Sequence, residues 1–231
     1  MLGGGANTRI SLTKSPLSEE AALDAVESGE VDLALVSNNL PFRSDIATVM
    51  PLYPTVLHIG SRADTDAMHG ADMLRGASIY AGPEGSASRL VFERIVERLG
   101  LGPEEFRYVS SFDDVPDVVI VFSPISPTRI AEIQDLLRDY PDLTLISMGE
   151  PGDIGSGGII DAAVLMNPHF QPFIIPAGTY GKGMPECKSF QDSTILSANK
   201  DLPDDLVFDH GLILRDYRHY LQTGEVTPLS S

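Results

Sequence analysis

The chain has 231 residues, 42% apolar and 21% charged, enough for one large domain or two lobes around a substantial core. Its 33 acidic against 16 basic residues give a formal charge of −17, which argues against nucleic acid or an anionic membrane surface as partner, since both reward a basic patch. A single cysteine, Cys187, excludes an internal disulfide and any multi-cysteine metal site, and no apolar run reaches the roughly 18 residues of a spanning helix.

Met1-Leu2-Gly3-Gly4-Gly5 lacks the charged and apolar regions of a secretion signal, a pattern shared by cytoplasmic proteins and by chains trimmed of a leader. Arg9 to Thr13 reads as a strand. A helix follows, opened by Ser15-Pro16 or by Ser18, carried by Ala21, Ala22, Ala25 and Val26, and stopped at Gly29. Val31 to Val36 is nearly continuous in apolar residues and predicts a strand buried on both faces. In the longer apolar segment Ala47 to Gly60, Pro51 and Pro54 predict a bend or a change of partner. Residues 64 to 76 read as short helix and linker.

Ile79-Tyr80-Ala81 ends the next strand and leads into Gly82-Pro83-Glu84-Gly85-Ser86-Ala87-Ser88-Arg89. Gly82 and Gly85 allow a tight turn, and Ser86 or Ser88 caps a helix whose residues Val91, Phe92, Ile95, Val96 and Leu99 recur at helical spacing. The first N–H groups of that helix lack internal partners and can hold an anion. A plain strand-to-helix turn uses the same residues, so both readings stand at this point.

Val118 to Phe122 is another buried strand, and Ser126-Pro127 opens a helix with Ile130, Ile133 and Leu137 on one face. Leu143 to Ser147 reads as a strand, Glu150 to Gly158 as a loop, Phe173 to Pro176 as extended, and Ser193 to Ser197 as a short strand. A last helix runs from about Pro203 to Leu221, before a loose tail. Repeated strand–helix alternation predicts an α/β architecture with parallel sheets. The five histidines show no metal-ligand spacing, and neither a nucleophile elbow nor a phosphate-binding glycine pattern is present, so no metal, cofactor or catalytic residue is expected. Asp113-Asp114 and Asp204-Asp205 read as solvated faces.

Five stretches in order resemble the TAXI-type solute receptors of tripartite ATP-independent periplasmic (TRAP) transporters. They are Val26 to Val36 (VESGEVDLALV), Leu52-Tyr53-Pro54 with Val56 to Ile59, Gly82 to Ser88, Ile175 to Tyr180 (IPAGTY) and Asn199 to Val207 (NKDLPDDLV). The resemblance implies a two-lobed periplasmic-binding-protein fold of the second type. One lobe would comprise residues 1–66 with 171–231, the other 67–170, with Pro176-Ala177-Gly178 at or just after a hinge crossing. It also implies a periplasmic or extracytoplasmic, non-catalytic domain that captures a small carboxylate or amino acid, glutamate-like, and passes it to membrane transporter subunits. The family's upstream strand and glycine-rich loop have no match before Arg9, and Ala87 and Ser88 stand where the family has Gly and Thr. Gly181-Lys182 replaces its usual Pro-Gly. A degenerate receptor-like sensor with a protein partner, and more remotely an α/β enzyme, are the other classes these departures leave open.

Candidate ligand-binding residues follow from strand ends and from the resemblance together. Ser37, Asn38 and Asn39 follow a buried strand at its carboxyl edge, where they hydrogen-bond a solute or form an Asx turn. Tyr53 either stacks on a ligand or fills the core. Gly85, Ser86, Ala87 and Ser88 present N–H groups and hydroxyls to a carboxylate. Arg89 pairs with an acid or is solvated. Phe122 and Ser123 either close the pocket or pack, and Thr179 and Tyr180 lie where the chain returns to the first lobe.

Overall fold

A computed structural model of the chain describes residues 18–62, 74–125, 131–147, 159–181, 183–205 and 207. The expected strand at Arg9 to Thr13, most of 64 to 76, the Ser126-Pro127 helix start, the Glu150 to Gly158 loop and the body of the last helix lie outside the described residues.

Strands and helices alternate: α1 (Glu19–Glu27), β1 (Leu33–Ser37), β2 (Ile46–Ser61), β3 (Ser78–Tyr80), α2 (Ala87–Leu99), β4 (Arg107–Tyr108), β5 (Val118–Pro124), α3 (Ala131–Asp139), β6 (Thr144–Ile146), α4 (Ile159–Met166), β7 (Gln171–Ile175) and β8 (Cys187–Asn199). They build one eight-stranded sheet in the order β1-β8-β2-β5-β3-β4, with β6 beside β2 and β7 beside β8. Among the described strands only β3 pairs in parallel, with β4 and β5; the other pairings are antiparallel. The expectation of parallel sheets is thus corrected, and the cause is two long antiparallel strands. From Ile46 to Val56, β2 lies along β8; from Thr55 onward it pairs with β5, and at Ile59 to Ser61 with β6 as well. In the same way β8 meets β7 over Cys187 to Gln191 and β1 over Thr194 to Ala198.

The prolines of β2 act as their chemistry requires. Register slips between Thr48 and Met50 and again between Pro51 and Tyr53, the second where Pro51 gives no N–H to the ladder, and pairing with β5 begins at Thr55. The strand expected at Ser193 to Ser197 is in fact 13 residues long. Lys188, Ser189, Gln191 and Asp192 hide its first half from an apolar pattern, yet Ser189 and Asp192 are buried there. The strand expected to be buried on both faces is also corrected: Leu35 is 42% exposed, because α1 covers only the face of β1 that carries Ala34 and Val36.

Alternation along β5 sets up two cores. Val118 and Ile120 pack with Val91, Phe92 and Val96 of α2, while Val119 and Val121 pack with Ile133 and Leu136 of α3. Phe92 is fully buried and meets Phe106 and Tyr108 edge-on, at 5.7 and 5.9 Å between ring centres. A smaller cluster of Leu23, Val36 and Ile195 holds α1 against β1 and β8. The helix α4 was not expected: its eight residues, IIDAAVLM, are too uniformly apolar to show a helical period.

Candidate functional site

Two helix N-termini meet at the glycine loop. Ser18 caps α1, its hydroxyl accepting from the Ala21 N–H at 3.2 Å, and Ser86 caps α2, accepting from the Arg89 N–H at 3.2 Å. Gly82 and Gly85 both have positive φ, and a Cβ at Gly85 would lie 3.1 Å from a Glu20 carboxylate oxygen and 3.3 Å from the Ser18 hydroxyl. The first turn of α1 therefore sits against the loop that opens α2.

Glu19 exploits that proximity. Its Oε2 accepts from the Ala87 N–H of α2 at 2.8 Å, and its Oε1 accepts from the Ser37 N–H at the end of β1 at 2.9 Å. The carboxylate is thus bound at the positive ends of two helices and by a strand end. Burial nevertheless raises its pKa, with the nearby Asp192 charge adding to the rise, and the two N–H donors pull the other way.

Ser37 links that carboxylate to a second one. Its hydroxyl donates to Asp192 Oδ2 at 2.6 Å. Asp192 is 2% exposed and its Oδ1 has no hydrogen-bond partner. The N–H groups of Ser193 and Asn39 come near enough to lower its pKa without completing a hydrogen bond to Oδ1, and burial outweighs them, so the pKa is raised. Asn38 places its Nδ2 2.9 Å from His169 Nδ1, and His169 in turn faces Asp192. Asn39 is 4% exposed, and neither its amide nitrogen nor its amide oxygen has a partner.

Of the residues singled out in the sequence, Ser37, Asn38, Asn39, Gly85 and Ala87 are brought to this cluster. The two serines of the loop have other tasks: Ser86 is the helix cap, and the Ser88 hydroxyl accepts from the Phe122 N–H at 2.9 Å, tying α2 to β5. Arg89 pairs with Glu93 one turn on, at 2.6 Å, and lies over the Tyr108 ring. Phe122 packs with Phe170 and Phe190, Ser123 is buried opposite Val56, and Tyr53 packs beside Leu52 and Leu196. Thr179 is half-buried and donates to the Pro176 carbonyl at 2.7 Å.

Tyr180 packs in the α3 core and donates its hydroxyl to His58 Nε2 at 2.6 Å. The other ring nitrogen of His58 lies 2.8 Å from the Val56 carbonyl, which can only accept, so that nitrogen carries the proton. Burial drops the His58 pKa to about 4 and pushes the Tyr180 phenol well above its usual range. The buried Cys187 thiol is pushed up to about 11 by burial and by Glu186, which keeps it out of the thiolate form. Among the described residues no cluster of three or more His, Cys, Asp or Glu is arranged to hold a metal ion, and no helix is long and apolar enough to cross a membrane.

The sequence reasoning missed Glu19, Asp192 and His169. Glu19 looks like any acid in the first turn of a helix. Asp192 did carry a signal, as a lone acid within the strand-forming run FQDSTIL.

A model of the NMT1-like family matches residues 18–210. The chain belongs to this family. No curated protein matches the sequence. Among solved structures, an ancestral arginine-binding protein bound to arginine aligns with 89% of this chain and 74% of its own length, at TM-score 0.53 and 11% identity. The effector-binding domain of QuiR in complex with shikimate aligns with 89% of this chain and 80% of its own, at TM-score 0.50 and 13% identity. The fold of this NMT1-like chain is accordingly that of the type II periplasmic binding proteins and related effector domains.

Proposed function

We propose that the chain is an extracytoplasmic solute-binding domain that captures a small amino acid-like solute, glutamate-like in size, and delivers it to a TRAP-type transporter. The observation that carries this is the buried polar cluster at the carboxyl end of β1, where α1, α2 and β8 converge and three polar atoms lack partners. Open α/β sheets present ligands at such strand ends. Membership of the NMT1-like family, the fold shared with arginine- and shikimate-binding domains, and the five TAXI-like stretches support it. In this role residues 1–66 with 171–231 form one lobe and 67–170 the other, and closure between them desolvates the ligand. Subunits of the transporter would be its macromolecular partners.

A second reading is favoured by one observation. Glu19 already fills the N-terminus of α2, as a ligand carboxylate would. A domain whose anion place is self-occupied can act as a receptor-like sensor with a protein partner and no tight small ligand. A thermal-shift and calorimetric panel of amino acids and small carboxylates separates the two. Saturable binding of any member supports the receptor; silence across the panel replaces it with the sensor.

A further inference from the structure

Resting on the receptor reading, we propose that this site engages its solute through an ammonium group, with Asp192 as the principal acceptor and Asn39, whose backbone N–H approaches the Asp192 carboxylate, as the second. Asp192 and Asn39 are both more than nine-tenths buried, and between them they leave two acceptor oxygens and one amide donor without partners. Buried polar atoms of folded proteins are almost always satisfied, so the site calls for a group that brings donors. An ammonium brings three, and it brings the charge the site lacks.

Charge decides between an ammonium and the carboxylate that the helix N-terminus suggests. Glu19 and Asp192 are two buried carboxylates, burial makes each costly to ionise, and the charge of Asp192 adds to the cost at Glu19. The groups acting on them are Asp192 on Glu19, backbone N–H groups on both, and the Ser37 hydroxyl and His169 on Asp192; no described lysine or arginine is among them. Arg89, the nearest basic residue in sequence to the loop, is committed to Glu93 and Tyr108. A ligand carboxylate placed beside Asp192 would add a third negative charge to a desolvated pair, whereas an ammonium there neutralises one. The N–H groups of Ser37 and Ala87, which would greet a carboxylate, are already bound to Glu19.

Matched pairs test this: L-glutamate against glutarate, and L-alanine against propionate, titrated into the full chain by calorimetry near pH 7. The amino member of a pair should bind at least about ten-fold more tightly than its deamino analogue. Asp192→Asn should erase that preference, with a cooperative thermal transition showing that the variant is folded. Equal binding of glutarate and glutamate, or a preference that survives Asp192→Asn, overturns the ammonium assignment and leaves the receptor standing. If none of the four binds, the receptor reading falls and takes this inference with it.

Discussion

Replacing Glu19 by alanine removes the acceptor shared by the N–H groups of Ser37 and Ala87. Each N–H left buried without a partner costs roughly 1–3 kcal/mol. Loss of a negative charge at a helix N-terminus adds about 0.3–1 kcal/mol. Two effects offset this: the variant no longer buries a carboxylate next to Asp192, and water can enter the gap. The expected balance is a net loss of about 2 kcal/mol near pH 7. In a domain of this size that lowers Tm by roughly 4–8 °C. Thermal unfolding in sodium acetate, against sodium chloride at the same ionic strength, then supplies the decisive comparison. Acetate carries the lost carboxylate in a molecule small enough for the vacated space. At ten times its dissociation constant it restores about 1.4 kcal/mol to the variant, and it does nothing for the wild type, whose own side chain fills the place. The reasoning is refuted if Glu19→Ala melts with the wild type, or if acetate raises both proteins equally.

The buried His58 should make the acid limb of the stability profile steep. Its folded pKa of about 4 lies below the ordinary 6.5, so its contribution is intact above pH 6.5 and is lost as pH falls toward 4, by about 3 kcal/mol in all; urea midpoints across that window check it, and a flat profile refutes it. Asp192 has the opposite sign, since its raised pKa means that stability present in acid is lost as pH rises through the folded value. Asp192→Asn should therefore melt above the wild type at pH 7, with the advantage vanishing below about pH 4. Gly82→Ala should cost about 2–3 kcal/mol by chemical denaturation, from a left-handed backbone at φ +87° and from a Cβ 2.5 Å from the Ser86 hydroxyl that caps α2.

Local chemistry made much of the fold legible. The caps at Ser18 and Ser86, the stop at Gly29 and the disruption of β2 at Pro51 all follow from residues acting within a few positions. The sheet's direction did not, because β2 and β8 pair across distances that no local pattern encodes. The same long-range pairing buries Ser189 and Asp192 in mid-strand, where a hydropathy reading takes them for loop. One-sided cover is likewise invisible in the run VDLALV: Leu35 is half-exposed because it points to the face of β1 opposite the one that α1 covers.

The site shows how a sound local inference can change meaning in three dimensions. The loop at Gly82 to Ser88 does open a helix whose first N–H groups hold a carboxylate, as the glycines and the serine cap imply. That carboxylate comes from Glu19, 68 residues earlier in the chain. The hydroxyls of Ser86 and Ser88 are turned to the helix cap and to β5, so they add nothing toward a ligand in this arrangement. What remains unsatisfied lies at Asp192 and Asn39, and two of its three atoms have the opposite polarity: acceptors where the sequence promised donors. If a solute is to bind without first expelling Glu19, its recognition must begin with those acceptors. Asp192→Asn would then gain stability near neutral pH and lose affinity for amines in the same substitution. A fall in stability with affinity intact would place Asp192 in the scaffold instead.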